Sequence, residues 1–234
     1  MKPSFLLSSK AGKVFMVVCL SIIVLVASCG KKYDPVPEPV GDAKVRYVNT
    51  VLNSDPQDFY VNGAKKGIEA VAYGEVSDYL TITSGSNAFS FYNTGTTTVN
   101  TTTQAYNFPI GISGTVFYVQ SQSGPKGAFA IGDDMSAPAA GKAKVRFINV
   151  NSFAGSNPIS VSVVGETGVL IPSLMYIDLE RLAYFSVEPA AKFKITMNST
   201  TIEFDPGIVA GKNYTIWIDG SSATTLTAHA ILQN

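Results

Sequence analysis

The chain has 234 residues, with 17 basic and 17 acidic side chains, one histidine and two cysteines. So thin a set of soft ligands excludes the usual zinc site and a disulfide framework, which leaves stability to an apolar core. With 46% hydrophobic residues, the chain can build one large core or two ordinary ones.

Lys2, Lys10 and Lys13 open the chain without an acidic neighbour, and an apolar run follows from Val14 to Val26, broken by Ser21. A basic start, a short apolar core and small residues after it make a secretory signal. The run is too short to span a bilayer, which takes about 20 apolar residues. Val26-Ala27-Ser28-Cys29 resembles the lipobox of bacterial lipoproteins. That resemblance implies cleavage between Ser28 and Cys29, with a diacylglycerol carried on the Cys29 thiol and a fatty acyl chain such as palmitate on the freed amine. More than one acyl chain is what stable anchoring requires. Gly30 follows where Asp would mark inner-membrane retention, so the expected place is the outer membrane of a Gram-negative cell envelope. Cys19 leaves with the signal. Removing residues 1–28 leaves 14 basic against 17 acidic side chains. That mildly acidic balance argues against nucleic acid as a partner.

Residues 29–42 read as the lipidated cysteine and a tether, in which Pro35, Pro37 and Pro39 favour an extended, unpacked chain. Then the sequence repeats. Ala43-Lys44-Val45-Arg46-Tyr47-Val48-Asn49 returns 100 residues later as Ala143-Lys144-Val145-Arg146-Phe147-Ile148-Asn149. The closing segment Gly114-Thr115-Val116-Phe117-Tyr118-Val119 matches Gly211-Lys212-Asn213-Tyr214-Thr215-Ile216. A period of this size suits two tandem domains, 43–136 and 143–234, joined through the breaker-rich stretch from Gly132 to Gly141. In chain order the strand signals are Ala43 to Asn49, then Asp58 to Val61 running into Asn62-Gly63, the strongest short hairpin signal. Asp78 to Thr83, Ala88 to Tyr92 and Thr115 to Val119 follow. The second copy offers Ile159 to Val163, Phe193 to Met197, Tyr214 to Ile218 and Thr225 to Leu232. The expected fold is all-β: two tandem immunoglobulin-like antiparallel β-sandwiches after an N-terminal signal peptide.

The opening strand, the Tyr60-Val61-Asn62-Gly63 hairpin, the segment Tyr73-Gly74-Glu75-Val76-Ser77-Asp78-Tyr79 and the closing strand resemble the bacterial family called domain of unknown function 4397. The second copy departs from it, with Val164-Gly165 at the hairpin and Met175-Tyr176-Ile177-Asp178 in place of the Tyr-Gly segment. The resemblance implies a secreted or lipid-anchored β-sandwich and brings no catalytic residues. It makes Tyr73, Asp78 and Tyr79 the candidate binding surface.

Other constellations have plainer readings. His229 stands alone and reads as a solvated or core-edge histidine. No Gly-x-Ser-x-Gly elbow occurs. Asp55, Asp58, Glu75 and Asp78 offer carboxylate pairs for sugar hydrolysis, but beside turns they read as caps for backbone donors. Asp133-Asp134 lacks the calcium-loop spacing and reads as a solvated linker. Arg46 and Arg146 read as outward residues paired with a carboxylate on the next strand. Tyr73, Tyr79, Tyr92, Tyr106 and Tyr118 make the first copy tyrosine-rich. Where exposed, such residues can stack on sugars or anchor a protein partner, but most read as half-buried strand residues. Thr94 to Thr103 reads as a polar loop or edge. The expected function is a non-enzymatic, lipid-anchored module. It takes no cofactor or metal, and its partners are the membrane through Cys29 and an envelope protein or glycan. The alternative is a pilin-like or adhesin subunit whose last strand exchanges between copies.

Overall fold

In the computed structural model, which describes residues 39–102 and 105–234, Asn62 and Gly63 both take positive φ, 50° and 80°. That is the backbone a tight hairpin demands. It joins β2 (Gln57–Val61) to β3 (Ala64–Lys65). Ser28, Cys29, the signal segment and the tether through Glu38 lie outside the described residues.

Around that hairpin the first half places β1 (Asp42–Asn49), β4 (Leu80–Thr83), β5 (Gly85–Asn87), β6 (Phe89–Asn93), β7 (Val99–Thr102), β8 (Tyr106–Phe108), β9 (Ser113–Gln120) and β10 (Lys126–Gly132). The second half has β11 (Ala143–Asn149), β12 (Ile159–Val163), β13 (Ile171–Leu174), β14 (Phe185–Val187), β15 (Phe193–Met197), β16 (Thr200–Phe204), β17 (Asn213–Asp219) and β18 (Thr227–Leu232). Among the described residues the single helical element is a 3-10 turn at Leu179–Arg181. The fold is thus all-β, as expected.

Four sheets are stacked. Strand order in the first half is β4-β1-β9-β10 for one sheet and β3-β2-β6-β7 for the other, with β5 and β8 as a separate ribbon. The second half repeats this as β14-β11-β17-β18 and β13-β12-β15-β16. Among these ladders all are antiparallel except β1 with β9 and β11 with β17, which run parallel. The long excursion through the outer sheet makes that possible, because a parallel neighbour needs a crossover connection.

One core lies inside each half, between its two sheets. Val45, Tyr47, Phe59, Phe89, Phe91 and Tyr118 fill the first; Val145, Phe147, Val161, Phe193, Ile195 and Ile216 fill the second. A third core joins the two sheets that face each other: Val48, Phe117, Phe129 and Ile131 against Ile148, Val150, Trp217 and Ile231. Residues Val40–Asn234 accordingly form one compact unit. Strands in the middle sheets are covered on both faces, so all seven residues of β17 are buried, whereas β16 in an outer sheet alternates.

The register corrects the closing match read from sequence. Lys44 pairs with Ser113 and Lys144 with Asn213, so Thr115 answers Thr215. The glycine that answers Gly211 is Gly111, with φ of 79° and 78°, each in the turn before its strand. Gly114 is glycine for another reason: a Cβ there would lie 2.5 Å from the Phe108 ring and 2.7 Å from the Ile131 carbonyl.

Candidate functional site

After β3 the chain crosses from the outer sheet to the free part of β1. Gln57 and Val71 exchange backbone hydrogen bonds of 2.9 and 3.0 Å, and Ser77 N then donates to Tyr47 O at 2.9 Å. Buried Asn49 holds the crossing in place: its Nδ2 donates to Val71 O at 3.1 Å and its Oδ1 accepts from Val51 N at 3.0 Å. Asn149 repeats the role with Leu174 O and Asn151 N. The last residue of the repeated motif therefore serves the fold.

The two arms of this crossover enclose a cleft of about 690 Å³, lined by Tyr47, Ile68, Glu69, Glu75, Val76 and Asp78 among others. Tyr47 forms its floor, stacked on Phe59 at 4.4 Å, with its hydroxyl donating to Glu69 O at 2.7 Å. Burial, and then Asp58 and Glu69, push that hydroxyl up to about 12. Glu75 is oriented by a 3.0 Å bond from Ala72 N, and Ser77 Oγ accepts from Tyr47 N and donates to Asp78 O. Ile68 stands at the rim 94% exposed. Among the described residues the lining holds three carboxylates and no lysine, arginine or histidine.

Gly67 permits this floor, since a Cβ there would sit 2.0 Å from the Tyr47 hydroxyl. Gly67→Ala is expected to displace the buried ring and cost about 1–3 kcal/mol, by overpacking a filled site. Urea denaturation checks it, and a loss below half a kcal/mol would show that the floor yields.

Of the three residues expected to form a binding surface, Asp78 lines the cleft and the two tyrosines turn toward the second half. Tyr73 donates to Asp219 Oδ2 at 2.6 Å and sets its ring edge-on to Trp217 and His229. Tyr79 donates to Asp133 Oδ2 at 2.6 Å beneath the Arg46 guanidinium, 4.7 Å from its ring centroid. Both hydroxyls are raised above the ordinary tyrosine value, chiefly by burial and then by those carboxylates. Ile68 and Glu69 were missed because a crossover without regular pairing carries no periodic signal.

The tyrosines belong to a cluster with approximate twofold symmetry. Arg46 Nε donates to Thr115 Oγ1 at 3.0 Å and Arg146 Nε to Thr215 Oγ1 at 2.9 Å. Each guanidinium also reaches the end of the other half's last strand, at Leu232 O and Gly132 O. Tyr79 under Arg46 is answered by Tyr184 under Arg146, and Tyr184 donates to Gln233 as Tyr79 does to Asp133. Gln233 Nε2 donates to Asp133 Oδ1 at 2.8 Å, and Arg146 Nη2 is bonded to the same oxygen.

Two expectations are corrected here. Arg46 and Arg146 are 4% and 2% exposed, and the carboxylate they share comes from the linker. Asp133 is a buried hub whose side chain is 0% exposed. Asp134 pairs with Lys144 at 2.6 Å; that bond and those from Ser136 hold its carboxyl down at about 2. Among the described residues no group of three or more metal-ligating side chains stands together. His229 stacks on Trp217 at 3.8 Å with its Nε2 3.5 Å from Asp219, where the first half stacks Phe117 on Phe129 at 5.0 Å.

The family model described as Domain of unknown function (DUF4397) matches residues 43–159, half of the chain. No curated protein matches. Among solved structures, a family 26 carbohydrate-binding module from Eubacterium rectale Amy13K, in complex with maltoheptaose, is 11% identical at a TM-score of 0.25. That alignment covers 82% of this chain and 98% of the other. At that score the likeness carries no argument about fold or ligand.

Proposed function

The chain belongs to the DUF4397 family of domains of unknown function, and from that premise we propose that it is a lipid-anchored envelope protein that binds and does not catalyse. Its ligand is an extended protein segment carrying lysine or arginine, taken into the crossover cleft. The observation that carries this reading is the lining: three carboxylates without a facing cation among the described residues, over an apolar floor, with Ile68 projecting at the rim. Carboxylates so placed favour a cationic partner and speed its encounter. Ser77, the hydroxyl a nucleophilic mechanism would use, is committed to the backbone on both sides. Anchoring rests on the lipobox of residues 26–29, and Gly30 supports the outer membrane.

Strand exchange is the less favoured reading. β18 pairs with β17 along its whole length, Arg46 holds Leu232 O at 2.7 Å, and Gln233 is tied to Asp133 and Thr215. Withdrawing the strand would break all of these and uncover Ile231.

Titration of the full chain, purified in detergent, with fluorescent extended peptides tests the cleft. Lysine- and arginine-bearing peptides are expected to bind, and more weakly as salt rises, while glutamate-bearing ones do not. Glu69→Gln, Glu75→Gln and Asp78→Asn together should weaken binding about tenfold. Equal affinity for both peptide classes, or none for either, would sink the cleft. Cys29→Ala should release the protein from the membrane fraction; retention there would refute the anchor.

A further inference from the structure

Side chains alternate along a strand, so while Phe59, Val61, Phe89 and Phe91 fill the core, Asp58 and Tyr60 of β2 and Ser90 and Tyr92 of β6 face the other way. On that outer face the rings of Tyr60 and Tyr92 meet, centroids 4.2 Å apart and tilted by 39°. Both residues are half-buried. Beside them Lys65 Nζ and Asp58 Oδ2 form an ion pair at 2.8 Å.

Two comparisons within the chain set this pair apart. The hydroxyls of Tyr47, Tyr73, Tyr79, Tyr176 and Tyr184 all donate to protein acceptors, which fixes those residues as parts of the fold. Those of Tyr60 and Tyr92 have no protein partner among the described residues. The Tyr118 hydroxyl has none either, but Tyr118 is fully buried in the first core, whereas Tyr60 and Tyr92 are half-buried on the outer face. The second half then shows what the fold itself needs on this face. Val61 pairs with Phe89 as Val163 pairs with Phe193, which places Ser162 where Tyr60 stands and Thr196 where Tyr92 stands. Serine and threonine suffice there, with Thr196 hydrogen-bonded to Thr201 at 3.0 Å. An aromatic pair on a solvent face is thus an addition to the fold, and it leaves apolar ring surface and two phenol hydroxyls available to a ligand.

We propose that Tyr60 and Tyr92 form a glycan-binding platform, distinct from the cleft, that takes the pyranose rings of a neutral polysaccharide. A pyranose presents an apolar C–H face to stack on aromatic rings and a rim of hydroxyls to bond. The phenol hydroxyls and the Lys65 ammonium supply donors and the phenol oxygens acceptors for that rim, while Asp58, itself buried, balances the charge of Lys65. Charge pairing within the platform leaves no net field to favour a polyanion. With the cleft on one side and the platform on the outer sheet, the protein would tie an envelope protein to a polysaccharide.

The test is electrophoresis of the full chain in detergent through native gels containing hydroxyethylcellulose, laminarin, xylan or glycogen. Retardation in at least one is expected. Tyr60→Ser with Tyr92→Thr, the residues of the second half, should weaken it by about tenfold, while Tyr60→Phe with Tyr92→Phe stays within about threefold. Peptide binding in the cleft should be unchanged in both variants, which shows that they fold and separates failure of the platform from failure of the cleft. The platform is overturned if no polysaccharide retards the chain. It is equally overturned if the Ser/Thr variant is retarded like the parent, or if only a proline-rich peptide binds the tyrosine pair.

Discussion

Asp133→Ala is expected to cost about 3–5 kcal/mol, the usual result of removing one partner from a buried charge cluster. Its side chain is fully buried and accepts from Tyr79 at 2.6 Å, Thr115 at 2.7 Å and Gln233 at 2.8 Å, besides the bond from Arg146. Arg46 Nε lies 3.9 Å away. Alanine would leave two buried guanidiniums without a carboxylate and three donors without an acceptor. The damage falls between the halves, so it should change cooperativity as well as midpoint. Trp217, the only tryptophan, sits in the core that joins the halves. Its fluorescence reports their separation, while far-ultraviolet circular dichroism reports every strand. In the parent the two urea transitions should coincide. In Asp133→Ala the fluorescence transition should move to lower urea, by about 1–3 M at ordinary m-values, and precede the loss of strand signal. Coincident transitions within half a kcal/mol of the parent would show that the cluster does not hold the halves together.

Trp217→Ala should cost a similar amount, about 3–5 kcal/mol, for a different reason. The indole is 0% exposed, lies flat on His229 at 3.8 Å and receives the edge of Tyr73 at 6.1 Å. Removing it opens a cavity beside its cross-strand neighbour Ile148, in the core it shares with Val48 and Phe117, whose strands resist collapse into it. Trp217→Phe restores the residue that the first half carries at this place, Phe117, and should cost about 1–2 kcal/mol. Circular dichroism in urea, the fluorophore being gone, checks both. A loss for alanine no greater than for phenylalanine would mean that the two middle sheets repack freely.

Much of the local structure is legible in the sequence. Asn62-Gly63 turns where its dipeptide says, because both residues tolerate positive φ. β12 and β15 span the residues read as strands, because β-branched and aromatic side chains at period two suit a half-buried sheet. The 100-residue offset was legible in Arg46 and Arg146, which both bond a threonine of the parallel neighbour strand, and in Asn49 and Asn149, which both hold a crossover carbonyl. The third core left a trace as well. Val116-Phe117-Tyr118-Val119 and Ile216-Trp217-Ile218 are apolar without alternation, which a strand needs only when both of its faces are covered. What no short-range pattern contains is which distant residues meet. Tyr73 and Asp219 are 146 residues apart, and Tyr79 finds its carboxylate in a linker that reads as solvated. Tyr60 and Tyr92 come together only because β2 and β6 are neighbours in one register. Strands, turns and the repeat follow from local sequence, since they depend on backbone preferences and on the spacing of apolar side chains over a few residues. The tertiary structure alone decided that the crossover opens a cleft, that two signature tyrosines serve the join, and that one sheet face carries an aromatic pair. Those outcomes depend on sheet order and on burial between layers, which local sequence does not encode.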